Sequence, residues 1–250
     1  MKHGLIFLCT GALILMTGCL GDGVSEETRY GEEVVIRHAK DGTTELHATL
    51  GTYNASDLSD YNDGDCLIAN YTVDYTTNPY TAKKITVQQS VKQKEAVLMY
   101  SDSVMSPSDV LNTIGEFNYP ISYVSPSHVP NFGGKFFFYI QHSADKLVDI
   151  EYQLAFYRAD SVASNVYNVY LTARKLQEEG VGEPKEIANR QVFDVKYLIL
   201  EYGEPILSAE NYEMKDLKIN LYYLTRQENE ELAFVRQNTT TYDLALFADK

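Results

Sequence analysis

The sequence predicts an all-β protein, with a small N-terminal OB-like barrel followed by a C-terminal antiparallel β-sandwich. Three observations lead there. Short runs rich in Val, Ile, Tyr, Phe and Thr recur between clusters of Gly, Pro, Asn, Asp and Ser, the pattern of strands joined by turns. Two of these runs alternate apolar and polar residues with the period of a half-buried strand. A segment at 115–130, with three prolines among serines and glycines, divides the body into parts of domain size. The expected layout is a leader at 1–18, a flexible tether at 19–30, the barrel at 31–118 and the sandwich at 119–250.

The chain opens with Lys2 and His3, then runs almost wholly apolar from Leu5 to Met16 before the small residues Thr17 and Gly18 and the cysteine Cys19. A membrane-spanning helix needs roughly 20 apolar residues. This run is too short for that, and has the length of the apolar region of a secretory signal. Met16-Thr17-Gly18-Cys19 resembles the bacterial lipobox. That resemblance implies acylation of the Cys19 sulfur, cleavage after Gly18 and acylation of the new amino terminus. Several acyl chains on one residue hold a protein durably to a membrane, whereas one chain holds only marginally. The apolar run can therefore stop where it does. The polar, glycine-containing stretch GDGVSEETRY reads as the tether.

Five strands are expected in the barrel, at 33–38, 44–50, 66–75, 84–91 and 96–100. Asp63-Gly64 is a turn signal immediately before CLIANYTV. Helix is scarce: 107–117 can form a turn or two behind Ser106 as cap. Sandwich strands are expected at 134–141, 147–157, 165–174, 192–202, 217–225 and 242–247. In DIEYQLAFYR, Ile150, Tyr152, Leu154 and Phe156 share one face; in FDVKYLILEY, Phe193, Val195, Tyr197 and Ile199 do. The charged stretch 175–188 reads as an exposed loop with a helical fragment.

The formal charge of −14 argues strongly against nucleic acid as a partner, because such binding rests on neutralising phosphates with Lys and Arg. Of the three cysteines, Cys9 leaves with the leader and Cys19 takes lipid. Cys66 remains, without a partner for an internal disulfide, and its apolar neighbours mark it as a small buried residue. The body must then be held by its core, for which it is long enough.

Several constellations invite chemistry. Asp57, Asp60, Asp63 and Asp65 form an acidic loop, but counting from Asp60 puts Gly64 fifth and Tyr71 twelfth, which excludes an EF-hand. A solvated turn is the plainer reading. His38, His47, His128 and His142 make no HxH, HxxxH or HExxH pair, although His38 and His47 could face each other across adjacent strands. No GxSxG elbow or phosphate loop is present, and Gly133-Gly134 reads as a turn. A glycosidase needs only two carboxylates about 5 to 10 Å apart, which abundance alone cannot locate. With no Trp, the 20 Tyr and 10 Phe must supply any aromatic surface. YNVY and LYYL place aromatic rings on both sheet faces, chiefly for packing. Asp102-Ser103-Val104 and Asp160-Ser161-Val162 resemble an O-glycosylation acceptor pattern of exported proteins.

The lipobox ending in Cys19, the acidic turn and strand NDGDCLIANYTVDY, and the runs GGKFFFYIQHSADKLVDIEYQLAFY and NVYNVYLTAR together resemble the NigD-like lipoproteins. The resemblance implies the barrel-then-sandwich fold and carries Cys19 over as a functional position, with no established activity. It also implies attachment to the outer membrane, with the body expected at the cell surface; Asp22, Glu26 and Glu27 follow the lipid cysteine without forming the dense acidic run of a surface-export cue. The expected function is a non-enzymatic binding or accessory module for a glycan, a peptide or a neighbouring envelope protein. No catalytic, cofactor or metal residues are assigned. The alternatives are a structural subunit assembling by strand addition through TTTYDLALFA, and a glycoside hydrolase.

Overall fold

The computed structural model describes residues 25–101, 105–126, 135–159, 166–177, 180–195, 216–237 and 240–243. Five strands close the first unit: β1 (Glu26–His38), β2 (Thr44–Ala48), β3 (Gly51–Asn54), β4 (Cys66–Asp74) and β5 (Asn78–Ser90). Their order around the barrel, β1-β2-β3-β5-β4, is OB-like. Closure depends on β1, which pairs with β4 between Glu26 and Val35 and with β2 from Val34 to His38. Between Arg29 and Glu32 its register shifts by a bulge, with Gly31 at φ 62°, a left-handed conformation that suits glycine. The barrel is filled by Val34, Ile36, Leu46, Tyr53, Leu67, Tyr71 and Val73. A single 3-10 turn, Ser56–Leu58, adds Leu58 to that core.

The second unit is two facing sheets. One holds β6 (Gln93–Glu95), β12 (Val181–Asp194), β9 (Lys135–Leu147) and β8 (Tyr123–Pro126), in that order. The other runs β14 (Leu232–Arg236), β13 (Asp216–Arg226), β11 (Val166–Lys175), β10 (Ile150–Ala159) and β7 (Val97–Ser101), with β15 (Thr240–Asp243) also paired to β13. Between them lie Phe136, Phe138 and Ile140 from β9, Tyr152, Leu154 and Phe156 from β10, Val169 and Leu171 from β11, and Phe193 and Val195. The faces read from the alternation in DIEYQLAFYR are the faces observed: Tyr152, Leu154 and Phe156 are buried and Ile150 packs against them.

Both sheets are also covered on part of their outer faces. Phe137 and Val192 point away from the sandwich core and pack on Val35, Cys66, Ile68 and Val91 of the barrel. This explains the unbroken apolar run FFF, since a strand buried on both sides need not alternate. On the other sheet, Tyr170 is fully buried on the outer side, stacked on Tyr222 with ring centroids 5.0 Å apart and edge-on to Phe234 and Tyr157. Its hydroxyl reaches the Met105 carbonyl, just before the short helix α1 (Pro107–Leu111). That helix begins as expected at Ser106, which forms a capping box with Asp109.

Several expectations are corrected. Residues 26–30, read as tether, form the start of β1, because backbone pairing with β4 orders them without requiring apolar side chains. Of residues 93–118, read with the barrel, the described ones go with the sandwich: β6 pairs with β12, β7 pairs with β10, and Asn118 bridges to Ala173. Residues 181–188, read as loop, are the exposed first half of β12 against β9. Charge there reported exposure, not irregularity. The sandwich also mixes parallel pairs (β6–β12, β7–β10, β11–β13) with its antiparallel ones.

Gly180 marks a tight approach of the chain entering β12. A Cβ built there would lie 2.5 Å from Lys146 Cβ, 2.7 Å from Val148 Cγ1 and 2.9 Å from the Lys146 carbonyl carbon. Gly180→Ala is expected to destabilise the fold by about 1–3 kcal/mol, as overpacking does. A urea midpoint equal to that of the parent protein would disprove it.

Candidate functional site

The richest polar constellation among the described residues lies at one end of the sandwich. After α1 the chain is fastened down by three backbone bonds, Tyr119 N–H to Ala173 O (2.8 Å), Ile121 N–H to Leu224 O (2.7 Å) and Ser122 N–H to Gln141 O (2.9 Å). This presents Tyr119 beside the ends of β9, β11 and β13. Tyr119, Ser122, Ser143, Asp145, Lys175 and Arg226 line a recess of about 520 Å³. Tyr119 Oη donates to Asp145 Oδ2 at 3.0 Å, and Lys175 Nζ donates to the same oxygen at 2.5 Å. The Lys175 ammonium also sits 4.6 Å from the centre of the Tyr119 ring. The lysine bond holds the Asp145 carboxyl below its usual range, so it is ionised at neutral pH. Burial raises the Tyr119 hydroxyl above its ordinary value, with the bond to Asp145 adding to it.

Behind Tyr119 stands a buried network. The His142 ring stacks on Tyr119, with centroids 4.6 Å apart. Its Nδ1 lies 2.7 Å from the Pro120 carbonyl, which can only accept, so Nδ1 carries the proton. Its Nε2 then accepts from Tyr152 Oη at 2.9 Å, and that oxygen accepts from Asn189 Nδ2 at 2.8 Å. Burial lowers the His142 pKa, which agrees with the neutral ring. Both His142 nitrogens and the Tyr152 hydroxyl are thereby engaged.

Tyr152 also lines a second recess, of about 580 Å³, with Lys92, Lys94, Phe117, Ile150, Glu151 and Leu176 among its walls. Glu151 accepts from Arg174 Nε at 2.6 Å, and Arg174 in turn reaches Glu116 at 2.7 Å. Asp145 in the first recess and Glu151 in the second are thus each held by a cation. The arrangement offers fixed donors, acceptors and apolar walls, the equipment of a binding surface.

The residues singled out in the sequence are placed as follows. Cys19, Ser103, His128, Gly133, Gly134 and Ser161 lie outside the described residues. Cys66 is buried in the seam between barrel and sandwich, and burial pushes its thiol up to about 12, as suits a packing residue. Asp63 accepts from the His38 backbone N–H at 2.7 Å and pairs with Arg37, while Asp65 accepts from Asn62 N–H at 2.9 Å. These acids serve the turn. His38 and His47 do not face each other: His38 lies opposite Thr44, and His47 opposite Val35. Sequence reasoning missed the Tyr119–Asp145–Lys175 group and the His142–Tyr152–Asn189 network. The members of each come from separate segments of the chain, so no local spacing announces them.

No protein-family model matches the chain, and no curated protein matches it. In fold it is similar to several solved structures. One is an uncharacterised protein from Parabacteroides merdae ATCC 43184, with TM-score 0.61 and 11% identity over 87% of this chain and 99% of that one. A candidate lipoprotein from Bacteroides fragilis NCTC 9343 matches with TM-score 0.50 and 11% identity, over 87% and 97% of the two chains. A NigD-like immunity protein from Bacteroides caccae ATCC 43185 matches with TM-score 0.49 and 12% identity, over 88% and 98%. At 11% identity, the likenesses to the Parabacteroides merdae and Bacteroides fragilis proteins are likenesses of fold.

Proposed function

We propose that this chain is a lipid-anchored envelope protein, held to the outer membrane by acyl chains on Cys19 and facing outward. Its barrel-and-sandwich body acts as a non-catalytic binding or accessory module for a glycan, a peptide or a neighbouring envelope protein. The observation that carries the anchoring is the apolar run from Leu5 to Met16, which stops at Thr17-Gly18-Cys19. The fold likeness to a candidate lipoprotein from Bacteroides fragilis supports it. Binding is favoured over catalysis by the charge pairing in the recesses. Asp145 is tied to Lys175 and Tyr119, and His142 has both nitrogens engaged, so neither is poised to move a proton. Assembly by strand addition draws less support, because Thr240–Asp243 of the expected donor region already pairs with β13 of its own sheet.

The test is metabolic labelling with palmitate followed by membrane fractionation. The wild type is expected to carry label and sediment with membranes, and Cys19→Ser to lose both. An unlabelled Cys19→Ser protein that still sediments would overturn the anchoring. A screen of the soluble body, from Gly21 onward, against glycans and envelope extracts tests the recognition role. Silence across both would remove its support.

A further inference from the structure

The described chain enters the barrel at one end only. Ser25 donates its N–H to Thr76 Oγ1 at 3.1 Å and accepts from Tyr75 N–H at 3.2 Å, which places it on the β4–β5 hairpin. The same rim carries exposed apolar side chains. Tyr75 is 39% exposed, and its hydroxyl lies 3.3 Å from that of Tyr53. Gly51 sits against the Tyr53 ring, and its neighbour Leu50 is 57% exposed. Tyr80, two residues past the start of β5, is 76% exposed. With Tyr30 beside the β1 bulge, these are all the exposed large apolar side chains among the described residues of the barrel.

Two acids of the rim are paired with cations, and a third is held by backbone donors. Glu26 pairs with Lys84, Glu27 pairs with Arg29, and Asp74 accepts from Thr76 and Thr77. The opposite end carries none of these exposed large apolar side chains. It holds the acidic loop with Asp57, Asp60, Asp63 and Asp65, and there the sandwich docks, with Gln93 Nε2 donating to Gly64 O at 2.6 Å. The nine residues of β4 separate the two ends by roughly 25–30 Å.

Six residues lead from Cys19 to Ser25 and span at most roughly 20 Å. Lipid on Cys19 would keep Ser25 within that reach of the bilayer, and leave the acidic end and the sandwich further out. Tyrosine combines an apolar ring with a polar tip and is enriched where protein meets lipid headgroups. We infer that the barrel rim bearing Leu50, Tyr75 and Tyr80 rests in the headgroup layer of the membrane that holds the anchor, with the sandwich pointing away. This placement rests on the acylation of Cys19 proposed above.

The chain contains no tryptophan, so a single one introduced by substitution reports its surroundings without background. The reporters are Tyr80→Trp at the rim and Tyr123→Trp, 46% exposed, in the sandwich. Each acylated full-length protein is reconstituted into phosphatidylethanolamine–phosphatidylcholine vesicles, with or without lipid brominated at the headgroup end of its chains. The reporter at 80 is expected to shift its emission to shorter wavelength and lose most of its intensity to the brominated lipid, while the one at 123 is unchanged. Protein that floats with the vesicles while the reporter at 80 stays unshifted and unquenched overturns the placement. Equal quenching at both positions also overturns it. Failure to float is a separate reading: it removes the anchoring itself, and the placement with it.

Discussion

Phe193→Ala is expected to lower the unfolding free energy by about 3–5 kcal/mol, the range for truncating a large buried aromatic. Phe193 is fully buried between the sheets and packs edge-on to Phe138, with ring centroids 5.7 Å apart. Truncation removes those contacts and leaves a void that the backbone of β9 and β12, hydrogen-bonded over their length, cannot readily close. Single domains are stable by only about 5–15 kcal/mol, so the loss is a large share of the total. By contrast, Tyr80→Ala on the exposed rim is expected to stay within about 0.5 kcal/mol. Urea denaturation followed by circular dichroism separates the two. A Phe193→Ala midpoint close to that of Tyr80→Ala would show that Phe193 is not a keystone of the sandwich core.

The second large effect concerns His142. His142→Leu keeps much of the volume, but deprives the Pro120 carbonyl of its donor and the Tyr152 hydroxyl of its acceptor. Each buried polar group left unpaired costs about 1–3 kcal/mol. The wild-type network also makes stability depend on pH. Burial holds the folded His142 pKa below 6.5, so the unfolded imidazole binds a proton first as the solution is acidified. Where the unfolded state binds more protons, stability falls with falling pH. The contribution is complete above 6.5 and is lost progressively from there down toward the folded value. The ionised Asp145 adds its own loss only in a lower window, below 3.8. His142→Leu is therefore expected to be less stable than wild type at neutral pH and to show a flatter decline through mildly acid pH. An unchanged slope in that variant would place the proton uptake elsewhere.

The fold class was legible because strand alternation and turn chemistry are local. Ile150 to Phe156 announce their buried face by spacing alone, and Ser106 announces a helix start by its hydroxyl. What stayed hidden was pairing at long range. Glu26–Tyr30 and Val181–Ala188 carry the polar composition of loops, yet they are strands because β4 and β9 offer them backbone partners. Such pairing leaves no mark on exposed side chains. Gln93–Glu95 is too short to show any period. The site was less legible still. Tyr119, Asp145 and Lys175 are far apart in the chain and meet only because the segment after α1 is fastened across the ends of β9 and β11. His142 could be seen, but its burial and its partners could not.

One short stretch settles the order in which the molecule can assemble. Gln93–Glu95 joins one sheet and Val97–Ser101 the other, with Ala96 between them in the core. This single crossing segment closes the same edge of both layers, like a hem stitched through two cloths. Its partners, Val192–Asp194 and Ala155–Ala159, arrive far later in the chain. The barrel can form early from its own residues, while the hem waits for the rest of the polypeptide. A fragment cut to begin at Tyr119 would lack both stitches and expose the raw edges of β10 and β12 to neighbouring molecules. Such a piece should clump, whereas one beginning at Lys92 keeps its border intact.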